Sequence, residues 1–431
     1  MFIVICVIVV VLVVDKSIVP AAVYTGGIKS SILDITTFIL LALAYGIGQW
    51  IVLQFVDTKF QTTTPSIKAL HTVVLLAQYI LISIIGLIVV QMIFTSSYSA
   101  LLMKICIWLN YVLMIAILGI LSHRFYVWQR TQRNATVLLY CVTMALLSFS
   151  GIVTIVYMQQ QFSGQQRGIE SVKPQYNIFS TVVVIDKTIP SLYGWMSILS
   201  FVSFWVSTVV LLNNYSKKIG SIKYWVLVSF PLLYFLSQYQ SLVIELFYPL
   251  RIGNPALFGI LFVFLFAGAK PLGGLLFGFA FWSISRNVNV PAIKVYTMTA
   301  AFGTMLLFTS NQPTGLAILP YPPFGIPTIC FLGLSSYLLF LGIYTSAVSV
   351  SNDSRIRSEI MRSVAKESSG MLKDIGTAQM QNQLEKRVLE LTKRFANNIE
   401  NQTGVESSLR EEEIKDYVNQ VIREVHPEEG K

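Results

Sequence analysis

Nine apolar runs recur along the chain, at 35–56, 69–94, 101–121, 135–158, 190–212, 224–244, 255–285, 292–310 and 326–350. A helix rises about 1.5 Å per residue, so a run of about 20 residues crosses the hydrocarbon core of a bilayer. A shorter run at 2–14 precedes them. It reads as a tenth span that tilts or thins the bilayer, in preference to a signal sequence cleaved near Val19-Pro20-Ala21. The expected fold is all-α, a polytopic transmembrane helix bundle of 9–10 spans in residues 1–350. A helical tail, 351–431, follows. Composition agrees: mean hydropathy is +0.66 and charged residues make up 12%, against about 25% in soluble domains. An ordinary soluble enzyme is excluded.

Charge divides near residue 350. Residues 1–350 carry 18 Lys/Arg and 6 Asp/Glu, whereas the last 81 residues carry 13 and 15. The basic excess therefore belongs to the connections between apolar runs, as expected for membrane orientation and anionic headgroups. No basic run is interleaved with exposed aromatics, so nucleic acid is not an expected partner. Loops 57–68, 122–134, 213–223 and 286–294 hold 10 positive charges in 45 residues, whereas the alternating loops hold six in 82. The positive-inside rule puts the first set in the cytoplasm, and the tail with them. The expected location is the cell membrane, with the lipid bilayer as solvent.

Cys6, Cys106, Cys141 and Cys330 all lie in or beside apolar runs, without CxxC spacing, and read as small buried hydrophobes. His71 opens one span and His123 closes another. With no carboxylate or thiolate beside them in sequence they read as interfacial residues, and no cofactor or metal is expected. P-loop, nucleophile-elbow, zincin and dinucleotide fingerprints are missing, so catalysis is the least favoured class.

The residue that most invites a function is Lys270, in Ala267-Gly-Ala-Lys270-Pro271-Leu-Gly273-Gly274. It falls near the middle of the 31-residue stretch 255–285. An ammonium at bilayer centre costs a few kcal/mol and usually faces a bundle interior. Pro271 removes a helical hydrogen bond, and Gly274 and Gly278 form a GxxxG face. A broken helix around Lys270-Pro271 is one expectation, and it would suit a secondary transporter or channel. Gln238 and Gln240, in Ser237-Gln-Tyr-Gln-Ser241, are candidate pathway residues or plain interhelical hydrogen bonders. No intramembrane counter-ion for Lys270 is evident, because Asp57 and Glu245 fall at span ends. Five spans lie on each side of loop 159–189, but the break at Lys270-Pro271 has no counterpart in 69–94, which weakens an inverted-repeat transporter. The proline-rich connection from Asn311 to Pro327 is expected to be a stiff linker lying on the membrane surface.

The tail alternates helical stretches with breaks. Leu384, Val388, Leu391 and Phe395 are spaced 4-3-4, as are Ile414, Val418, Val421 and Val425. Gly370, Gly376 and Asn401–Gly404 are expected interruptions, and Ser408 to Glu411 forms a capping box. The helices are expected to pack on each other or on the cytoplasmic loops, or to dock a cytoplasmic protein partner or a second copy through 377–425. The leading expectation is a sensor or scaffold whose tail docks a partner. Pro323-Phe-Gly-Ile-Pro327, Ser351-Asn-Asp-Ser-Arg355 and Gly376-Thr-Ala-Gln379 resemble segments of uncharacterised archaeal multi-span membrane proteins, over the last quarter of the chain. That resemblance implies no catalytic residues.

Overall fold

The computed structural model describes residues 2–25, 32–60, 65–165, 171–172, 188–213, 220–232, 234, 245–288, 290–313, 316, 320–353, 355–356 and 370–403. Nearly all of them are helical. In chain order the helices are α1 (Phe2–Thr25), α2 (Ile32–Lys59), α3 (Pro65–Thr95), α4 (Ala100–Thr131), α5 (Ala135–Gln165) and α6 (Thr188–Asn213). Then come α7 (Ser221–Ser229), α8 (Tyr248–Gly253), α9 (Pro255–Asn287), α10 (Pro291–Ser310), α11 (Ile326–Cys330), α12 (Leu332–Asn352) and α13 (Gly370–Thr403). Seven helices among the described residues are long and apolar enough to cross a membrane: α2 to α6, α10, and α11 with α12 as one span. The protein is therefore a multi-pass all-α membrane protein, as the apolar runs imply.

Three expected elements differ in detail. The run at 2–14 belongs to a helix of 24 residues that continues through Asp15 and Lys16. The stretch 255–285 lies within a single helix of 33 residues, unbroken at Lys270-Pro271. A proline in a long helix forfeits one backbone bond without ending the helix when neighbouring helices hold both sides. For the expected span 224–244, α7 and a 3-10 turn (Phe230–Leu232) are seen, and 235–244 lie outside the described residues.

The outer helices show the two faces that a bilayer demands. Leu40, Leu43, Ile47 and Trp50 on α2, and Val73, Leu76 and Leu87 on α3, are exposed, while Phe38, Tyr45, Val52, Val74, Leu81 and Ile88 are buried. An exposed apolar belt of this extent is the surface that lipid covers. Between α5, α6, α9 and α10 the core is aromatic. Phe204 lies 4.7 Å from Phe277 and 5.0 Å from Phe308, and Tyr140 lies 5.8 Å from Phe281.

The last span is different. Its apolar stretch is 100% buried, against 39–50% for α2 to α6. Glycines allow this depth. At Gly342 a Cβ would lie 2.5 Å from both Ala300 N and Tyr296 O, and at Gly303 it would run into the backbone of Leu338 and Leu339. Helix α10 and the last span therefore touch backbone to backbone. Without a water-driven hydrophobic term in lipid, such close approach is what holds helices together. A methyl at Gly342 has only backbone to push against, so Gly342→Ala is expected to cost about 1–3 kcal/mol and to lower the thermal unfolding midpoint in detergent. Gly46→Ala, where nothing lies within 4 Å, is expected to leave the midpoint unchanged or raise it.

Candidate functional site

Asp15, Lys16 and Lys270 gather beside the start of the last span and the two ends of the proline-rich connection. The apolar run stops at Val14, so the sequence pattern alone predicts a connection, not a helix, at Asp15 and Lys16. The missed signal is Ser17-Ile-Val-Pro-Ala-Ala-Val, which resumes the apolar character and lets α1 continue. Asp15 is fully buried, and Lys16 and Lys270 are 8% and 6% exposed.

Asp15 satisfies the start of the last span. Its Oδ1 accepts from Gly325 N at 2.9 Å. Its Oδ2 accepts from Thr328 N at 3.1 Å and from Thr328 Oγ1 at 2.6 Å. Helix α11 begins at this point, with Gly325 in the left-handed conformation, φ 95°, and with no side-chain cap of its own. The first N–H groups of a helix have no partner within it, and a carboxylate suits the positive end of its dipole. Asp15, from the opposite end of the sequence, fills that role.

The two lysines converge on consecutive residues. Lys16 Nζ donates to Gln312 Oε1. Lys270 Nζ donates to Asn311 O at 3.0 Å and lies 5.4 Å from the centre of the Tyr234 ring, a cation–π distance. Asn311 Oδ1 in turn accepts from Tyr111 Oη at 2.9 Å. Among the described residues neither ammonium has a carboxylate within 4 Å. With Asp15 engaged on the last span, the two amines rest on carbonyl oxygens and an aromatic ring.

Helices α9 and α10 run antiparallel. A Cβ at Gly278 would meet Met305 and Ala301, and one at Gly274 would lie 2.8 Å from Phe308 Cβ. Continuing that register brings Lys270 level with Asn311, just past the end of α10. Lys270 lies near the middle of the 33 residues of α9. Pro271 follows it within the helix, and at Gly273 a Cβ would clash with the Phe201 ring. These glycines make room for neighbouring helices. Gln238 and Gln240 lie outside the described residues.

The proline-rich connection is also corrected. Pro320, Tyr321, Pro322, Pro323 and Phe324 are buried, packed into the bundle end and not laid over it. Tyr98 Oη donates to Pro320 O at 2.8 Å. Tyr98 and Ser99 form a short antiparallel pairing with Val172 and Ser171 of the long loop.

At the other end, α13 seats on α4 and α12. Met371, Leu372, Ile375 and Ala378 are buried. Trp128 Nε1 donates to Gln379 Oε1 at 3.0 Å, and Asn134 Nδ2 donates to Asp374 Oδ2. Gly376, expected to break the helix, lies inside it, where its missing side chain admits Val350. Leu384, Leu391 and Phe395 are 42%, 52% and 64% exposed, and Val388 is half-buried. The same end carries a contact that no local sequence pattern signals. His71, on α3, lies 2.9 Å from Asp57 and 3.1 Å from Tyr337 Oη of the last span.

Burial raises the Asp374 carboxyl above its ordinary value of 3.8, against the opposing hydrogen bond from Asn134 and the nearby charge of Lys373. A carboxyl raised in the seated state binds its proton more tightly there than when released. Seating of α13 is therefore expected to weaken as pH rises through that raised value, and Asp374→Asn is expected to flatten the dependence, as read by amide hydrogen exchange of 371–379. At the opposite end, Asp15→Ala leaves two backbone donors buried without an acceptor. At about 1–3 kcal/mol each, it is expected to lower the unfolding midpoint well below that of Asp15→Asn, which keeps one acceptor. No family model matches the chain, and no curated protein or solved structure is similar to it.

Proposed function

We propose that the protein is a sensor or scaffold of the cell membrane whose cytoplasmic tail docks a protein partner through Leu384, Val388, Leu391 and Phe395. The observation that carries this reading is the position of the last span. Its first turn is held by Asp15, beside the Lys16–Lys270 cluster, and its final turn is held by α13 through Val350 on Gly376 and Ser351 on Gln383. A helix gripped at both ends and buried along its length is stiff. A ligand or lipid that shifts the charged end has a direct route to the tail, provided that the two seatings have alternative states to occupy.

The orientation follows from charge. The basic loops share an end of the bundle with α13, and that end faces the cytoplasm by the positive-inside rule. The docking surface follows from exposure, because the half of α13 nearest the bundle is fastened while its far half presents three large apolar side chains to solvent. The transport reading loses support, since α9 is unbroken at Lys270-Pro271.

The test uses the full chain in its native membrane. Leu384→Glu, Leu391→Glu and Phe395→Glu combined alter exposed positions and leave the seated half of α13 intact. Chemical cross-linking of the unaltered chain is expected to trap a protein partner, and the triple variant to lose at least about tenfold of that product, the equivalent of about 1.4 kcal/mol. Equal recovery from both would reject the docking surface.

A further inference from the structure

We infer that His71 is a proton-binding site that fastens α3 to the last span when neutral and releases it when charged. The cue received at this end of the bundle is then acidity. Binding of the proton requires no partner; its effect on the tail rests on the docking reading.

Three elements meet at the imidazole. Nε2 lies 2.9 Å from Asp57 Oδ1, on α2, and Nδ1 lies 3.1 Å from Tyr337 Oη, on the last span. An ionised carboxylate only accepts hydrogen bonds, so the hydrogen of the neutral ring belongs on Nε2. Nδ1 is then bare and accepts from the Tyr337 hydroxyl. In that one tautomer both nitrogens are satisfied.

A second proton breaks this match. Nδ1 then carries a hydrogen as well, and it faces the O–H of Tyr337. Tyr337 is 1% exposed, and His71 is the one hydrogen-bond partner of its hydroxyl among the described residues. A hydroxyl turned away from the ring loses its acceptor, and a buried donor without an acceptor is costly. Water lies on the other side, where the side chains of His71 and Asp57 are 22% and 57% exposed. An imidazolium keeps its hydration there and makes a charge-assisted hydrogen bond to Asp57. Protonation therefore draws the ring from Tyr337 toward Asp57 and solvent.

The other charged groups near the ring do not replace either partner. Lys68, one turn earlier on α3, and Lys59, beyond Asp57 on α2, are exposed and act on the ring through screening water. On α4, Arg124 stacks on Tyr344, two turns farther along the last span.

Tyr337 lies between the two seatings of the last span. Asp15 holds Gly325 and Thr328 on one side of it, and Val350 seats on Gly376 on the other. Loss of a lateral fastening between them gives the span an alternative state, which a signal to α13 requires.

A double-mutant cycle of His71→Leu and Tyr337→Phe tests the site, read as reversible unfolding of the full chain in mixed micelles. The coupling is expected to be about fivefold in the unfolding constant at about pH 8 and to vanish at about pH 5. The same cycle run with His71→Gln is expected to keep its coupling at both pH values. Its amide offers an N–H to Asp57 and a carbonyl to Tyr337 but takes up no proton. Coupling of His71 that is equal at the two pH values, or that glutamine also loses in acid, would overturn the inference. The unaltered chain gives a second measurement, because it holds three histidines and nitrogen-15 imidazole resonances are correspondingly few. Neutral His71 is expected as the Nε2–H tautomer; the Nδ1–H tautomer would overturn the inference equally. For the tail, cross-linking to a partner is compared in an Asp374→Asn background, which removes the pH response of the α13 seat. It is expected to change about fivefold between the two pH values, and His71→Gln to abolish the change. A pH-dependent cycle combined with constant cross-linking would reject the link to docking alone.

Discussion

The contact on which the arrangement depends is that of the last span with α10, where backbone lies on backbone at Gly303 and Gly342. In lipid, hydrocarbon is as good a solvent for leucine as another leucine is, so apolar area alone gives two helices little reason to associate. Close approach changes that, because every added ångström of separation forfeits dispersion across the whole contact. Glycine permits the approach, and a central helix with no lipid-facing side becomes possible. The outer helices can then keep exposed belts of leucine, isoleucine and tryptophan.

The first turn of a helix in that position is buried away from water, which gives its polar neighbours their work. At one end, Asp15 supplies acceptors to the N–H groups of Gly325 and Thr328, and it can do so only because α1 continues past its apolar run. At the other end, Ser351 meets Gln383, and Gly376 seats on Val350. Lys16 and Lys270 lie beside the Asp15 joint, hydrogen-bonded to Gln312 and Asn311. The first and last parts of the chain are thus tied to the same helix.

The residues singled out from sequence met different fates for physical reasons. Lys270 stands out in the sequence as an ammonium inside an apolar stretch, but its partners, Asn311 O and the Tyr234 ring, come from parts of the chain that spacing does not connect. Gly376 was read as a helix breaker, which is its intrinsic tendency; inside a packed helix the same lack of a side chain makes it a seat for a neighbour. The proline-rich connection was expected to lie at the surface because prolines stiffen a chain, but stiffness says nothing about burial. Pro323 to Pro327 and Gly376 to Gln379, the segments behind the archaeal resemblance, include Gly325, Gly376 and Gln379, which join distant parts of the fold.

By itself the sequence determined that this protein is a helical bundle in lipid, because a backbone without water must pair its own polar groups and runs of about 20 apolar residues are long enough to do so across a bilayer. It also determined the spacing of the apolar stripe on the tail, since helical period is local. Only the tertiary structure decided which helix is central, that Asp15 and Lys16 belong to a helix and meet Thr328 and Gln312, and that half of α13 is seated while half is bare. Those facts join residues some 300 positions apart, and no local propensity carries information over that distance.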